Sequence, residues 1–345
     1  MEDETPPDAT RPALLLSTSD CNEGCIVYDV RLEAVGSGTP ESSLRPSMDP
    51  ILCLAASPDH TNYTELAAVS GGATIVSLVA GSPDTLVHDL ATEAHTPGPR
   101  LRASKPRPIM LPVGDHTVLV MNEVLRPGRH CFEALRRVPS AGGDTWLADA
   151  LPDPPIAYAM DDDEDDMDDD EDTYHPHVMA YFAIGSRAWI SVSRVGTLSL
   201  DMDHGGASWQ VEGTWELPLL GRGLFVPELG VVVGIPASAH RHSMKKERCY
   251  QVCALDVEAR PPVVRRKWGI PPERVEEVPP WEVSLAHLGN GRLCVARSIV
   301  VKVPHHEGGL CEARGTSFTL VDVRRRSPGG ELELARHGKV HGHTT

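Results

Sequence analysis

Residues 178–235 constrain the fold of this chain more than any other stretch. Short apolar runs alternate there with Gly, Pro and an Asp-His-Gly-Gly turn, a pattern typical of consecutive antiparallel strands rather than helices. It predicts four strands, at residues 178–185, 187–193, 196–202 and 208–213. The next runs, GRGLFVPE and GVVVGI, repeat the first two strands. A four-stranded unit that begins again at once predicts the blade of a β-propeller.

Similar strand patterns occupy most of the remaining sequence, and no stretch keeps a helical period for longer than about two turns. We therefore predict an all-β protein of 345 residues, with one propeller domain at residues 12–340 after a disordered N-terminus at residues 1–11. The first repeat lacks its innermost strand, and a polar loop is predicted up to about residue 49. The loops predicted to form the faces of the propeller are residues 102–108, 122–129, 236–247 and 304–314.

Acidic residues recur at the ends of the predicted third strands, at intervals of 44 to 68 residues that lie near the kelch period. Such a residue caps the following hairpin by accepting hydrogen bonds from backbone N–H groups two residues further on. Tryptophans are predicted at the start of the fourth strands, packed between adjacent blades. Six acidic anchors predict six four-stranded blades, within a range of five to seven. The predicted anchors are Asp29, Asp89, Glu133, Asp201, Asp256, Asp322, Trp146, Trp209 and Trp268.

Several short blocks of the chain occur in an order that resembles a known family: HCFEAL, LPDPP, AWISVSRVGTLSLD, GTWELPLLGRGLFVPELG and HLGNGRLCVAR. That family is a kelch-like group of plant proteins, expanded in grasses and described only as a domain of unknown function. The resemblance covers residues 65–300, and it implies a kelch-like β-propeller but no activity. Family members usually carry aromatic residues where this chain has Leu198 and Leu200, and they rarely have so long an acidic insert.

An acidic run interrupts the predicted strands between two blades. Eleven of the twelve residues 161–172 are acidic, and they supply most of the formal net charge of −17. Such a run is typical of a solvated loop, so residues 161–173 are predicted to be a disordered insert. It does not match an EF-hand, because Asp166 stands where that loop needs Gly. As an alternative, the run docks a basic partner through Asp161, Asp163, Glu164, Asp165, Asp168, Asp170 and Glu171.

The sequence carries no arrangement typical of a metal site or a catalytic site. The eight cysteines include no C-x-x-C pair and are predicted to be reduced core residues. Histidine pairs at 175/177, 240/242, 305/306 and 341/343 lie mostly in polar turns or in the tail, so no metal and no cofactor is predicted. G-x-S-x-G, P-loop and G-x-G-x-x-G motifs are also missing from the sequence. We therefore predict that the protein is not an enzyme.

These features favour a non-enzymatic scaffold whose loops bind a protein partner. Two alternatives stay open: a propeller that binds or processes a small molecule or glycan in its central channel, and a binder of basic proteins through the acidic insert. Ionisable side chains that converge on the channel would favour the first alternative. The residues outside the acidic run show no basic surplus, which argues against a nucleic-acid partner. The sequence shows no signal peptide and no membrane-spanning run, so we expect the protein in the cytoplasm, the nucleus or both. We also expect a monomer.

Overall fold

The computed structural model describes residues 14–20, 24–34, 44–55, 63–126, 128–139, 144–156, 175–203, 207–237, 251–270, 283–304, 310–327 and 330–342. The predicted disordered N-terminus at 1–11 and the acidic insert at 161–173 lie outside these residues. The described residues form 23 β-strands and one 3-10 helix, Ser70–Gly72, so the protein is all-β as predicted. Within them, no helix has the length and hydrophobicity that crossing a membrane would require.

The described strands form six consecutive antiparallel groups, called sheets 1 to 6 in chain order; because hydrogen bonds join sheets 4 and 5, these groups make five hydrogen-bonded sheets. Sheet 1 consists of β1 (Leu14–Asp20), β2 (Gly24–Ala34) and β3 (Leu44–Leu54). Sheet 2 consists of β4 (Thr64–Val69), β5 (Thr74–Val79), β6 (Thr85–Asp89) and β7 (Ala94–Pro97). Sheet 3 consists of β8 (Pro108–Val113), β9 (Thr117–Asn122), β10 (Phe132–Val138) and β11 (Thr145–Ala150).

The second half of the chain repeats the same order of strands. Sheet 4 consists of β12 (Val178–Ile184), β13 (Arg187–Val192), β14 (Gly196–Asp201) and β15 (Ser208–Gly213). Sheet 5 consists of β16 (Leu219–Val226), β17 (Val231–Pro236), β18 (Gln251–Asp256) and β19 (Val263–Gly269). Sheet 6 consists of β20 (Val283–His287), β21 (Arg292–Pro304), β22 (Leu310–Arg325) and β23 (Leu332–Gly342).

The first strand of each four-stranded sheet lies innermost. Strands β4, β8 and β12 are neighbours in this order, and β16 and β20 continue the series. Strand β12 also pairs with β16 in parallel, through Ala180 opposite Gly221 and Tyr181 opposite Arg222. This pairing joins sheets 4 and 5 into one eight-stranded sheet. The five innermost strands therefore surround a common axis.

Hydrophobic clusters fill the contact between each sheet and the next. One cluster packs sheet 1 on sheet 2 through Val27 and Ile75, and four more continue the series from sheet 2 to sheet 6. The last packs sheet 6 on sheet 1, where Phe318 meets Leu16. This contact closes the series into a ring, so the fold is the predicted β-propeller. The blade number stays a prediction, because sheet 1 has three strands within the described residues.

The middle strands of each sheet are apolar on both faces because a neighbouring sheet covers each face. In β17, Val232 packs towards sheet 4 whereas the next residue, Val233, packs towards sheet 6. All six residues of β17 are buried. The fourth strands instead alternate between exposed and half-buried residues, as in β11, because they form the outer rim. This difference explains why the middle strands are the easiest elements to predict.

Three expectations about strand bounds and cysteine burial are wrong. Strand β3 begins at Leu44, inside the loop that was expected to continue to about residue 49. Strand β22 begins at Leu310, so residues 310–314 are strand rather than part of a face loop at 304–314. Cys53 is exposed rather than in the core, although Cys25, Cys131, Cys253 and Cys294 are buried, free thiols.

We predict that Phe132→Ala destabilises the protein by about 3–5 kcal/mol, the usual cost of removing a buried aromatic ring. Phe132 is buried in the cluster between sheets 3 and 4, and its ring meets Trp209 edge-on with centroids 4.9 Å apart. Urea denaturation measures the loss. The matched control is Leu147→Ala on β11, where the side chain is 48% exposed and the change should stay within about 0.5 kcal/mol. Equal losses in the two variants would contradict the proposed role of the cluster.

Candidate functional site

Three of the predicted acidic anchors end a third strand and cap the turn that follows. Asp89, Asp201 and Asp256 are the last residues of β6, β14 and β18. The Oδ1 atom of each accepts a hydrogen bond of 2.9–3.0 Å from the backbone N–H two residues further on. The backbone N–H of Asp203 and the Arg187 guanidinium lower the pKa of Asp201. These three carboxylates therefore stabilise turns of the fold.

The other three acidic anchors lie elsewhere in their strands. Asp29 lies within β2, and Asp322 lies three residues before the end of β22, where it binds the guanidinium groups of Arg292 and Arg324. Glu133 is the second residue of β10, so the expectation that it ends a third strand is wrong. Glu133 therefore does not cap a hairpin after a third strand.

Glu133 forms a buried ion pair with Lys105. The side chains of Glu133 and Lys105 are 0% and 1% exposed, and Lys105 Nζ lies 2.5 Å from Glu133 Oε1. The carboxylate also accepts hydrogen bonds from the backbone N–H groups of Arg102 at 2.8 Å and Ala103 at 3.3 Å. The pair therefore fixes the loop at 102–105 to sheet 3 from inside. Because every contact is made within the fold, the pair is structural.

The three predicted tryptophans all contribute to clusters between sheets. Trp146 packs between sheets 2 and 3, Trp209 between sheets 3 and 4, and Trp268 between sheets 5 and 6. The indole N–H of Trp209 donates to the Pro152 carbonyl at 2.8 Å. Trp146 and Trp209 are each the second residue of a fourth strand. Trp268 is the last but one residue of β19, not at its start as expected.

An arginine that the sequence analysis did not single out lies on the innermost strand of sheet 5. Arg222 is exposed, and it stands opposite Tyr181 in the parallel pairing of β16 with β12. The pairing of β16 with β17 is irregular between Leu220 and Leu224, and Gly221 has φ +64°. Such a bulge redirects a side chain, and the Gly-Arg-Gly sequence within a strand was its only signal.

The pKa shifts show which groups surround Arg222. Desolvation lowers the pKa of its guanidinium, whereas Tyr181 and Glu65 act in the opposite direction. Glu65 lies on β4, the innermost strand of sheet 2, three sheets away in either direction around the ring. Burial and the Glu65 carboxylate also raise the pKa of Cys25 in sheet 1 to about 11. Arg222 and Glu65 thus lie on innermost strands of different sheets, and the charge of Glu65 acts on Arg222.

The channel mouth, defined by Tyr63, Arg107, Glu123 and His177, lies where the innermost strands begin. Tyr63 precedes β4, Arg107 precedes β8 and His177 precedes β12. The backbone N–H of Glu123 donates to the Arg107 carbonyl at 2.8 Å, and the Glu123 carboxylate lies 3.9 Å from His177 Nδ1. Burial, Glu65 and Glu123 raise the pKa of Tyr63 to about 12, and Arg107 opposes them.

Two of the four predicted face loops contribute to this mouth. Arg107 belongs to the loop at 102–108, and Glu123 belongs to the loop at 122–129. Residues 238–247 and 305–309 of the other two loops lie outside the described residues, as do all the predicted docking residues of the acidic insert. In the part of the chain that the structure describes, no group of three or more His, Cys, Asp or Glu side chains could hold a metal ion.

The channel offers side chains that can bind a ligand. A guanidinium presents five N–H donors in a planar fork that matches the oxygens of a carboxylate or a phosphate. The Tyr181 hydroxyl and the Glu65 carboxylate add polar groups around it. Protein walls strengthen these interactions, because charges that are partly removed from water attract each other more strongly. Arg222 is thus the candidate ligand-binding residue.

Comparisons with known proteins identify a family but supply no chemistry. A family model described as "Protein of unknown function (DUF1668)" matches residues 37–340. No curated protein matches the chain. The periplasmic gluconolactonase of Pseudomonas aeruginosa is 11% identical, with a TM-score of 0.46 and 96% of this chain and 97% of that chain covered. The β-propeller domain of Myceliophteria thermophila Cps50 (Swd1) is 9% identical, with a TM-score of 0.41 and 95% and 97% covered.

We predict that Lys105→Met destabilises the protein by about 3–5 kcal/mol, because it leaves the Glu133 carboxylate buried without its counter-ion. Urea denaturation measures the loss. Arg100→Met is the control, since the Arg100–Asp84 pair is exposed and should contribute about 1 kcal/mol or less. Adding Glu133→Gln to Lys105→Met removes the unpaired charge and should recover part of the stability. Strictly additive losses in the double variant would contradict this explanation.

Proposed function

We propose that this chain, which belongs to the family described as "Protein of unknown function (DUF1668)", binds a small anionic ligand in the channel of the propeller. The proposal is based on the residues of the chain itself. The observation that carries the proposal is the position of Arg222, exposed on an innermost strand at a bulge and opposite Tyr181. We propose binding without turnover, in keeping with the lack of catalytic motifs in the sequence.

The groups around Arg222 narrow the class of ligand. A carboxylate or phosphate group pairs with the guanidinium, while hydroxyl groups on the same molecule donate to Glu65. A ligand with anionic groups at both ends is less suitable, because the Glu65 carboxylate would repel the second anionic group. The best match is a hydroxylated acid or phosphate monoester with one anionic end. Such a ligand spans from sheet 5 towards sheet 2.

We predict that Arg222→Gln weakens binding of such a ligand about 10- to 150-fold, corresponding to about 1.5–3 kcal/mol for hydrogen bonds to a charged group. A panel of hydroxy acids and phosphate monoesters is first screened for compounds that raise the melting temperature of the protein. Isothermal titration calorimetry then measures Kd for the best compound with the wild-type protein and the variant.

Arg100→Gln is the matched control, because it removes the same charge from an exposed ion pair on sheet 2. Its Kd should equal that of the wild type. Unchanged affinity in Arg222→Gln, or equal losses in the two variants, would overturn the channel site. The absence of any stabilising compound in the panel would also count against it.

A second candidate function is the protein scaffold that the sequence favoured, with the partner bound at the channel mouth. The observation in its favour is Tyr63, which is 42% exposed although it stands beside Glu65, Glu123 and Arg107. An exposed aromatic ring among charged groups is typical of the anchor residue in a protein interface. The acidic insert at residues 161–173 shortly precedes His177 of this mouth in the sequence.

We predict that Tyr63→Ala reduces capture of a specific partner at least about tenfold, the usual effect of truncating an anchor residue. Affinity capture followed by quantitative mass spectrometry compares the full chain with Tyr63→Ala and with a deletion of residues 161–172. Loss of basic proteins with the deletion alone, in a salt-dependent manner, would instead support docking through the acidic insert. Identical partners for all three proteins would contradict both interface proposals.

A further inference from the structure

Two histidines on the outer strands of sheet 2 face each other across the β6–β7 hairpin. His88 and His95 are direct partners in the strand register, and their Nδ1 atoms lie 3.0 Å apart. The ring centroids are 5.1 Å apart, with an angle of 64° between the rings. Directly opposite residues project from the same face of a sheet, so the register alone brings these two rings together. The pair lies away from the channel, so its role does not depend on the ligand proposed there.

The surroundings of the pair differ on its two sides. His88 is fully buried, whereas His95 is exposed. The second ring nitrogen of His88, Nε2, lies 2.8 Å from the hydroxyl of Ser77, which is also buried. Burial and the neighbouring His95 lower the pKa of His88 to about 4, so its ring is neutral at pH 7. A neutral imidazole has one N–H donor and one lone pair.

Ser77 determines which nitrogen of His88 is free to coordinate. When Nε2–H donates to Ser77 Oγ, the lone pair is on Nδ1, directed towards His95. This arrangement is the one that protein metal sites use, in which the second nitrogen of a ligating histidine donates to a neighbouring oxygen and thereby orients the ring. Because Ser77 is buried, it is not accessible as a nucleophile, and we assign it a positioning role instead.

The separation of the two Nδ1 atoms matches the geometry of a shared metal ion. Metal–nitrogen bonds of about 2.0–2.1 Å place two adjacent nitrogen ligands about 2.8–3.0 Å apart at the 90° angle of a square-planar Cu²⁺ site, and about 3.3–3.4 Å apart at a tetrahedral zinc site. The observed 3.0 Å matches the square-planar angle. A shared proton and a metal ion are thus alternative occupants of the same position. The exposed His95 ring gives an ion access to it from solvent.

We propose that His88 and His95 chelate a divalent transition-metal ion, with Ser77 positioning His88. Two imidazoles select Cu²⁺, Ni²⁺ or Zn²⁺ over Mg²⁺ and Ca²⁺, and Cu²⁺ binds most tightly of these. No third His, Cys, Asp or Glu completes a metal-binding group among the residues that the structure describes, so water or an external ligand fills the remaining positions. The ion cross-links the outermost strand of sheet 2 to its neighbour.

Calorimetric titration of the full-length protein with CuSO₄ and with ZnCl₂ tests the proposal. His95→Ala should remove one metal site or weaken it at least about tenfold, since a single imidazole remains. Ser77→Ala should weaken the same site about 10- to 100-fold, as is usual when the partner of a ligating histidine is lost. His116→Ala removes an exposed histidine outside the pair and serves as the control for the other histidines of the chain.

Electron paramagnetic resonance of the Cu²⁺ complex gives a second measurement that does not depend on stoichiometry. The wild-type spectrum should contain a component with two nitrogen ligands that His95→Ala lacks and His116→Ala retains. Because His95 is exposed, its variant should fold normally, which circular dichroism checks. Equal affinities and equal spectra for the wild type and His95→Ala would overturn the proposal, and the pair would then be a hydrogen-bonded contact only.

Discussion

Each sheet of this protein packs on two neighbours, and this double coverage determines which residues the middle strands can carry. Val232 and Val233 are adjacent in sequence but belong to clusters on opposite sides of sheet 5. A polar side chain in such a position is costly unless another group satisfies it, because neither face of the strand meets water. Ser77 and His88 are buried in sheet 2 and hydrogen-bond to each other, which is how these polar groups are accommodated. Ionisable residues with open access therefore lie mainly at strand ends, on the outer strands, in the loops and in the channel.

The Lys105–Glu133 pair and Arg222 illustrate two different environments for charged side chains. Lys105 and Glu133 are buried together, and the backbone around them uses the remaining acceptor capacity of the carboxylate. Such a pair fixes one arrangement of a loop, and its net contribution to stability is small compared with the loss on breaking it. Arg222 has the opposite situation. Its side chain is exposed although the surrounding protein partly desolvates the guanidinium, and we propose that a ligand pairs with it.

The sequence predicted the strands whose residues are buried, because burial leaves an apolar pattern. It did not predict the features that depend on how strands pair with each other. The four strands of sheet 4 end within one residue of their predicted bounds, since apolar runs and turns alternate clearly there. Strand β7 was missed because its four residues are all exposed and leave no apolar signal. Arg222 was missed because a local bulge decides its direction. The pairing of His88 with His95 was not predicted because hairpin register joins residues seven apart, and the apolar pattern gives no sign of the second strand of that hairpin.

The parallel pairing of β12 with β16 has a mechanical consequence. It makes sheets 4 and 5 a single hydrogen-bonded body, so Tyr181 and Arg222 cannot separate without breaking backbone hydrogen bonds. Glu65 belongs to sheet 2, on the far side of the axis, and is joined to that body by side-chain packing through the intervening sheets. A molecule that contacts both Arg222 and Glu65 would link two sheets on opposite sides of the ring and hold them at a fixed distance. The affinity for such a molecule would be highest at one channel diameter. Expansion of the ring would therefore release the molecule.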